Sequence, residues 1–271
     1  MDEITAEYTT EQLLPPVTLR CTPKVSIASK TDLGRVREHN EDKYEFYLPE
    51  DDAQLAVKGL IFLVCDGMGG HAAGQIASEL ACKSFIDAYL VHPAQDPTVA
   101  AEAAVKSANN FIFDLASALP NRKGMGTTLS GLMLVQDQAI VAQVGDSRIY
   151  RMRAGQFECL TTDHTWVHEA VLRGEITEAM ADTHPYRHVL TRALGTEQSV
   201  TPDVFRFDLQ VGDLFLLCSD GVMNHVPDAQ LEALLRENAP SQAAWKIVGA
   251  ALQGGGSDNT TVLIVRVDGL N

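Results

Sequence analysis

The chain has 271 residues, 45% of them hydrophobic and 21% charged, enough to bury a sizeable core in one large domain or two small ones. Thirty-six Asp and Glu against 21 Lys and Arg leave a formal net charge of -15, which argues against nucleic acid or an anionic membrane as a partner, since both need clustered cations. No apolar run approaches the roughly 20 residues of a membrane span. The start Met1-Asp2-Glu3 is acidic rather than a basic leader, and the five cysteines lack C-x-x-C spacing, so a cytoplasmic protein with reduced thiols in its core is expected.

Residues 1–23 carry Pro15-Pro16 and no sustained period, and read as a partly ordered extension. A short strand is expected over 25–29, a turn at Thr31-Asp32-Leu33-Gly34, and a second strand through Tyr44, Phe46 and Tyr47. Between them lies Arg35-Val36-Arg37-Glu38-His39-Asn40-Glu41-Asp42, which on its own reads as a solvated charged loop. The six-residue apolar run Leu60-Ile61-Phe62-Leu63-Val64-Cys65 predicts a buried strand with Asp66 at its end. Gly67, Gly69 and Gly70 then allow a turn that wraps an ion or phosphate, His71 stands at the junction, and an alanine-rich helix follows over 72–90.

A second helix over 97–118 sets Val105, Ala108, Ile112 and Leu115 at helical spacing and serves to cover the core. Strands follow at 127–135 and 138–144, the latter ending in Gly145-Asp146-Ser147-Arg148 before another strand through Ile149 and Tyr150. Arg153-Ala154-Gly155-Gln156 predicts a hairpin turn, and such spacing favours antiparallel sheet. Residues 162–195 are polar and broken at Gly174 and Pro185, in the manner of an insertion or lid. The irregular spacing of His164, His168, His184 and His188 suits local hydrogen bonding better than zinc. After a strand at 204–209, the run ending in Cys218-Ser219-Asp220-Gly221 repeats the arrangement at Asp66. Helices at 228–237 and 242–253 lead through Gly254-Gly255-Gly256-Ser257-Asp258-Asn259 into a last strand at 261–267.

Asp42, Asp66, Asp146, Asp220 and Asp258 thus all stand at ends of predicted strands, where a compact sheet core brings several of them together. Unit charges about 4 Å apart interact by about 4 kcal/mol at an effective dielectric near 20, so such acids must protonate, separate or bind cations. Oxygen-only donors suit Mg²⁺ or Mn²⁺ better than zinc. Two such ions about 3.5–4 Å apart can bridge a water, lower its pKa and neutralise a phosphoryl oxygen. The planar donor fork of Arg37 suits the phosphate itself.

These residues carry a resemblance. Arg37-x-x-Asn40-Glu41-Asp42, Asp66-Gly67-Met68-Gly69-Gly70-His71 with Gly74, Gly126-Thr127-Thr128, Gly145-Asp146-Ser147-Arg148, Thr162-Asp163-His164-Thr165, His184-Pro185 through Leu190-Thr191-Arg192-Ala193-Leu194-Gly195, Ser219-Asp220-Gly221 and Ser257-Asp258-Asn259 occur in order. Over about residues 24–267 the chain resembles the metal-dependent serine/threonine phosphatases of type 2C, especially compact bacterial members.

The resemblance implies an α+β fold, with two antiparallel β-sheets in a central sandwich flanked by helices on both outer faces. It implies a single catalytic domain over 24–271, with 162–195 as a flap that influences which phosphoprotein is accepted. Asp42, Asp66, Asp220 and Asp258 would hold two core Mn²⁺ or Mg²⁺ ions, Asp66 bridging them and the Gly67 carbonyl completing one shell. Asp146 would join a third ion and Glu41 would act through water. Arg37 would grip the substrate phosphate, and His71 is the candidate general acid. Asn40, Gly126, Thr127, Thr128 and Asn259 would be supports. The implied activity is hydrolysis of phosphoserine and phosphothreonine on proteins by a metal-activated water, without a phosphoenzyme, by a cytoplasmic monomer opposing a serine/threonine kinase. A catalytically dead binding module is disfavoured by the complete ligand set, and hydrolysis of small phosphoesters is a further alternative. A cysteine nucleophile is disfavoured because Cys65 and Cys218 sit in core runs.

Overall fold

The apolar run that ends at Asp66 is buried on both faces, and that sets the layering. Residues 17–69, 72–122 and 124–271 are described by the structure, a computed structural model. In chain order the elements are β1 (Pro23–Asp32), β2 (Asp42–Tyr47), α1 (Asp52–Lys58), β3 (Leu60–Met68), α2 (Ala72–Val91), α3 (Pro97–Ala118), β4 (Gly126–Thr127), β5 (Leu129–Val135), β6 (Gln138–Val144), β7 (Arg148–Arg153) and β8 (Gln156–Cys159). There follow α4 (Trp166–Leu172), α5 (Glu178–Ala181), β9 (Asp203–Asp208), β10 (Leu214–Cys218), α6 (Asp220–Met223), α7 (Asp228–Glu237), α8 (Pro240–Gln253) and β11 (Thr260–Leu270).

One antiparallel sheet runs β1-β11-β10-β7-β8, the other β2-β3-β5-β6-β9 with β4 paired to β3. Successive strand residues point to opposite faces, so each central strand feeds two apolar layers. On β3, Leu60, Phe62 and Val64 pack between the sheets with Phe215, Leu217, Leu263 and Val265. Ile61, Leu63 and Cys65 face the other way, against Ala77, Phe85, Val105 and Ile112 of α2 and α3. On the far side Leu216, Cys218, Val262 and Ile264 meet Leu231, Ile247 and Val248 of α7 and α8. The result is helices, sheet, sheet, helices, as the resemblance implied. Among the described residues no helix is long and apolar enough to cross a membrane.

Several local expectations are corrected. β1 extends to Asp32, through the predicted turn, because it pairs with β11 along its whole length. The strand expected at 127–135 breaks at Thr128, whose amide and hydroxyl both turn to the main chain of Asp66. The short helix α1 was not anticipated; the Asp51 side chain caps it by accepting from Gln54 N. Nor was α6, a single turn starting at Asp220. Cys65, Cys82 and Cys218 are buried, but Cys159 is exposed on the edge strand β8 and Cys21 only half-buried, so not all the thiols are core residues. The turn at Ala154 and Gly155 has positive φ at both residues, 49° and 82°, as a tight two-residue hairpin requires.

Candidate active site

Alternation along β3 decides where its acid points. Asp66 continues the face of Phe62 and Val64, and therefore lies at the open end of the layer between the sheets. Pairing with β2 sets Asp42 directly opposite it, a placement in which like charges destabilise. Ser219 continues the corresponding face of β10 and donates its hydroxyl to Asp42 Oδ2 at 2.7 Å, while accepting the Thr261 amide at 3.0 Å. Asp220 begins α6 and Asp258 precedes β11. Asp146 sits in the turn that carries the chain from β6 in one sheet to β7 in the other. A cavity of about 770 Å³ opens here, lined by Arg37, Glu41, Asp66, Gly67, Asp146, Asp220 and Asp258, with His188 and Thr191 contributed by residues 162–195.

The charged stretch from Arg35 to Asp42 is not simply solvated. Asp42 is 8% exposed. Asn259 accepts the Glu41 amide at 2.8 Å and donates to the carbonyls of Leu33 and His39, at 2.9 and 3.0 Å, locking that stretch to the start of β11. Asn40 Oδ1 accepts the Asp42 amide, and Thr128 Oγ1 meets Ser147 Oγ at 2.7 Å, tying the end of β3 to the Asp146 turn. A Cβ on Gly67 would collide with the carbonyls of Gly74 and Glu41, so only glycine lets the backbone pass there. Arg37 Nη2 lies 2.7 Å from Asp258 Oδ2, with its side chain half-exposed at the cavity. His71 lies outside the described residues. Sequence reasoning did not single out the bridging part played by Ser219 or Ser147. For Ser219 the available signal was its parity with Phe215 and Leu217.

Burial and mutual repulsion raise the pKa of Asp42, Asp66, Asp146 and Asp220 in the protein alone. Burial first, then the Asp220 and Asp258 charges, push Asp42 up to about 7 against the Ser219 and Thr261 hydrogen bonds. Burial and the charges of Asp42, Asp220, Asp146 and Asp258 raise Asp66 well above the usual carboxyl range. Burial with Asp220 and Asp163 pushes Asp146 up to about 8, and burial with Asp258 raises Asp220. Asp42 Oδ1 and Asp220 Oδ1 are buried without a hydrogen-bond partner. Among the described residues no three His, Cys, Asp or Glu side chains already close on one metal position; Asp66, Asp146, Asp220 and Asp258 line the cavity, and Asp42 lies buried behind it, opposite Asp66. An oxygen-only donor set with two orphaned buried carboxyl oxygens fits a hard divalent cation.

Residues 36–251 match the family described as Protein phosphatase 2C. The chain is 39% identical over 242 residues to serine/threonine phosphatase stp of Listeria innocua, covering 88% of this chain and 94% of that protein. Its structure resembles that of the S. agalactiae serine/threonine phosphatase with a TM-score of 0.82 at 31% identity, covering 90% of this chain and 100% of that one. It also resembles the catalytic domain of the serine/threonine protein phosphatase PstP in complex with two manganese ions, with a TM-score of 0.77 at 32% identity over 89% and 97% of the two chains. With a family match over most of its length and relatives this similar in both sequence and fold, the chain belongs to the protein phosphatase 2C family.

Proposed function

We propose that the acid cavity is where this chain carries out the reaction of its family, metal-dependent hydrolysis of phosphoserine and phosphothreonine on proteins. The chain is a protein serine/threonine phosphatase. Asp42, Asp66, Asp220 and Asp258 would hold two divalent ions, Mn²⁺ or Mg²⁺, with the Gly67 carbonyl as a further donor. Asp146 serves a third ion, and Glu41 acts through water. The observation that carries this reading is the pair of buried, unpartnered oxygens on Asp42 and Asp220, set among neighbouring acids whose charges disfavour their ionisation.

Bound there, such ions lower the pKa of a water and neutralise phosphoryl oxygens. The chain's own residues do the rest. Ser219 fixes the orientation of Asp42, and Thr128 fixes the end of β3 on which Asp66 stands. Arg37 turns its guanidinium to the substrate phosphate beside Asp258, where a planar fork matches the oxygens. His71 is assigned the proton for the departing alkoxide. Residues 24–271 act as one catalytic unit, in which 162–195 form a flap beside the cavity and select the phosphoprotein. A serine/threonine kinase and its substrates are the counterparts of a monomer working in the cytoplasm.

With Mn²⁺ the chain should release phosphate from a phosphothreonine peptide faster than from a small aryl phosphate, and excess chelator should stop it. Asp220→Asn should lower turnover by on the order of 100-fold and weaken Mn²⁺ uptake in calorimetry. Activity that survives chelation, or normal kinetics in that variant, overturns the reading.

A further inference from the structure

The two loops that carry Asp146 and Asp258 share a device. In each, an imidazole nitrogen accepts the main-chain N–H of the residue just before the acid: Gly145 N lies 3.1 Å from His164 Nδ1, and Ser257 N lies 3.1 Å from His225 Nε2. Neither amide belongs to a strand, since β6 ends at Val144 and β11 begins at Thr260, so the sheet ladders do not fix them. We propose that His164 and His225 are positioning residues that hold Asp146 and Asp258 in place to receive divalent ions. The inference rests on the reading of those two acids as cation ligands.

His164 is 3% exposed and grips Gly145 twice, because its own amide also donates to the Gly145 carbonyl at 3.0 Å. With Nδ1 accepting, the proton of the neutral ring sits on Nε2, 3.1 Å from Asp203 Oδ2. Asp203 is held in turn by Arg192 Nη1 at 2.8 Å, and the His164 carbonyl accepts the Thr191 amide at 2.8 Å. Asp146 is thereby tied to the end of the 162–195 segment, where His188, Leu190, Thr191, Arg192 and Ala193 line the cavity.

His225 closes a second link. It follows α6, which Asp220 opens, and its Nε2 also lies 2.9 Å from Ser257 Oγ, so one ring joins the Asp220 helix to the Asp258 loop. Two glycines of the triplet, Gly254 and Gly255, pack against His225, and Gly255 faces its ring. A Cβ on Gly254 would come 3.0 Å from His225 Cβ, and one on Gly255, where φ is 140°, would come 3.1 Å from Cε1. Loop and imidazole therefore fit each other by shape as well as by the hydrogen bond.

The test is Mn²⁺ titration calorimetry on the full chain, for His225→Leu, His225→Gln, His164→Leu, His164→Asn and Asp258→Asn, with unfolding measured in chelator. The Leu variants lose the acceptor and should bind Mn²⁺ about tenfold more weakly, the range for residues that orient metal ligands. In His225→Gln and His164→Asn a side-chain oxygen takes the place of the accepting nitrogen, and these should regain affinity to within about threefold of the starting chain. Wild-type affinity in both Leu variants overturns the proposal, and so does a Gln variant as weak as Leu at 225 while melting at the same temperature. If His164→Leu fails to fold, the His225 pair and His164→Asn decide it. Unchanged Mn²⁺ affinity in Asp258→Asn would instead remove Asp258 from the ligand set, a different failure from that of the histidines.

Discussion

Replacing Asp42 with Asn should move stability in opposite directions with and without cation. In the protein alone Asp42 Oδ2 accepts from Ser219, Oδ1 is buried without a partner, and burial with the Asp220 and Asp258 charges pushes the carboxyl from 3.8 to about 7. At 1.36 kcal/mol per pKa unit, that shift corresponds to an upper bound of about 4 kcal/mol. The neighbouring acids titrate together with it, so the share that belongs to Asp42 alone is smaller, on the order of 2 kcal/mol. Asn keeps an acceptor for Ser219 and removes the charge, so metal-free Asp42→Asn should melt about 4–8 °C above the unsubstituted chain at pH 7.5. The sign follows from linkage: a carboxyl raised in the folded state keeps its full stability below pH 3.8 and loses it as pH rises through about 7. The advantage of Asn should therefore shrink on going from pH 7.5 to pH 5. With Mn²⁺ at a hundred times its Kd, the unsubstituted chain gains about 2.7 kcal/mol and the variant, short of a ligand, gains much less. Unfolding followed by circular dichroism, in chelator and in Mn²⁺, reads both halves. A variant that melts lower without metal at pH 7.5, or gains as much from Mn²⁺, refutes the crowded-acid argument.

Arg37→Ala should chiefly raise KM for a phosphothreonine peptide if, as proposed, the guanidinium at the cavity grips the bound phosphate; an unchanged KM in steady-state kinetics counts against that role. Ser219→Ala strands both Asp42 Oδ2 and the Thr261 amide, and should cost about 1–3 kcal/mol in denaturant unfolding; a neutral effect would mean that water replaces the hydroxyl without loss. Lys58 is buried, its Nζ donating to the His92 carbonyl at 2.7 Å beyond the end of α2, and burial lowers it to about 8. An amine depressed in the folded state gains stability as pH rises from about 8 to its unfolded value of 10.5. The stability difference from Lys58→Met should therefore shift in favour of Lys58 across that window, and a pH-independent difference would refute it.

What was legible in the sequence is what alternation and turn chemistry write locally. The apolar runs before Asp66 and Asp220 announced strands buried on both faces, and Ala154-Gly155 announced a tight hairpin. The helix α1 was hidden because its acidic start, Glu50-Asp51-Asp52, looks like a loop until Asp51 is seen capping Gln54. The break at Thr128 and the grip on the charged stretch depend on bonds to Asp66 and Asn259, which no local pattern contains. The site shows the same division. Its acids were visible singly at strand ends, whereas the bonds that assemble them join residues 177 apart between Ser219 and Asp42 and 221 apart between Arg37 and Asp258. One conflict could be read only from register: Asp42 faces Asp66 across two paired strands, where sheet energetics alone would put an apolar or oppositely charged pair. A fold that holds two acids there, braces them with Ser219 and Thr128, and leaves buried oxygens on Asp42 and Asp220 unpartnered carries a local cost that the proposed cations would offset. Such a departure from local consistency marks the functional end of the sandwich more sharply than any single motif does.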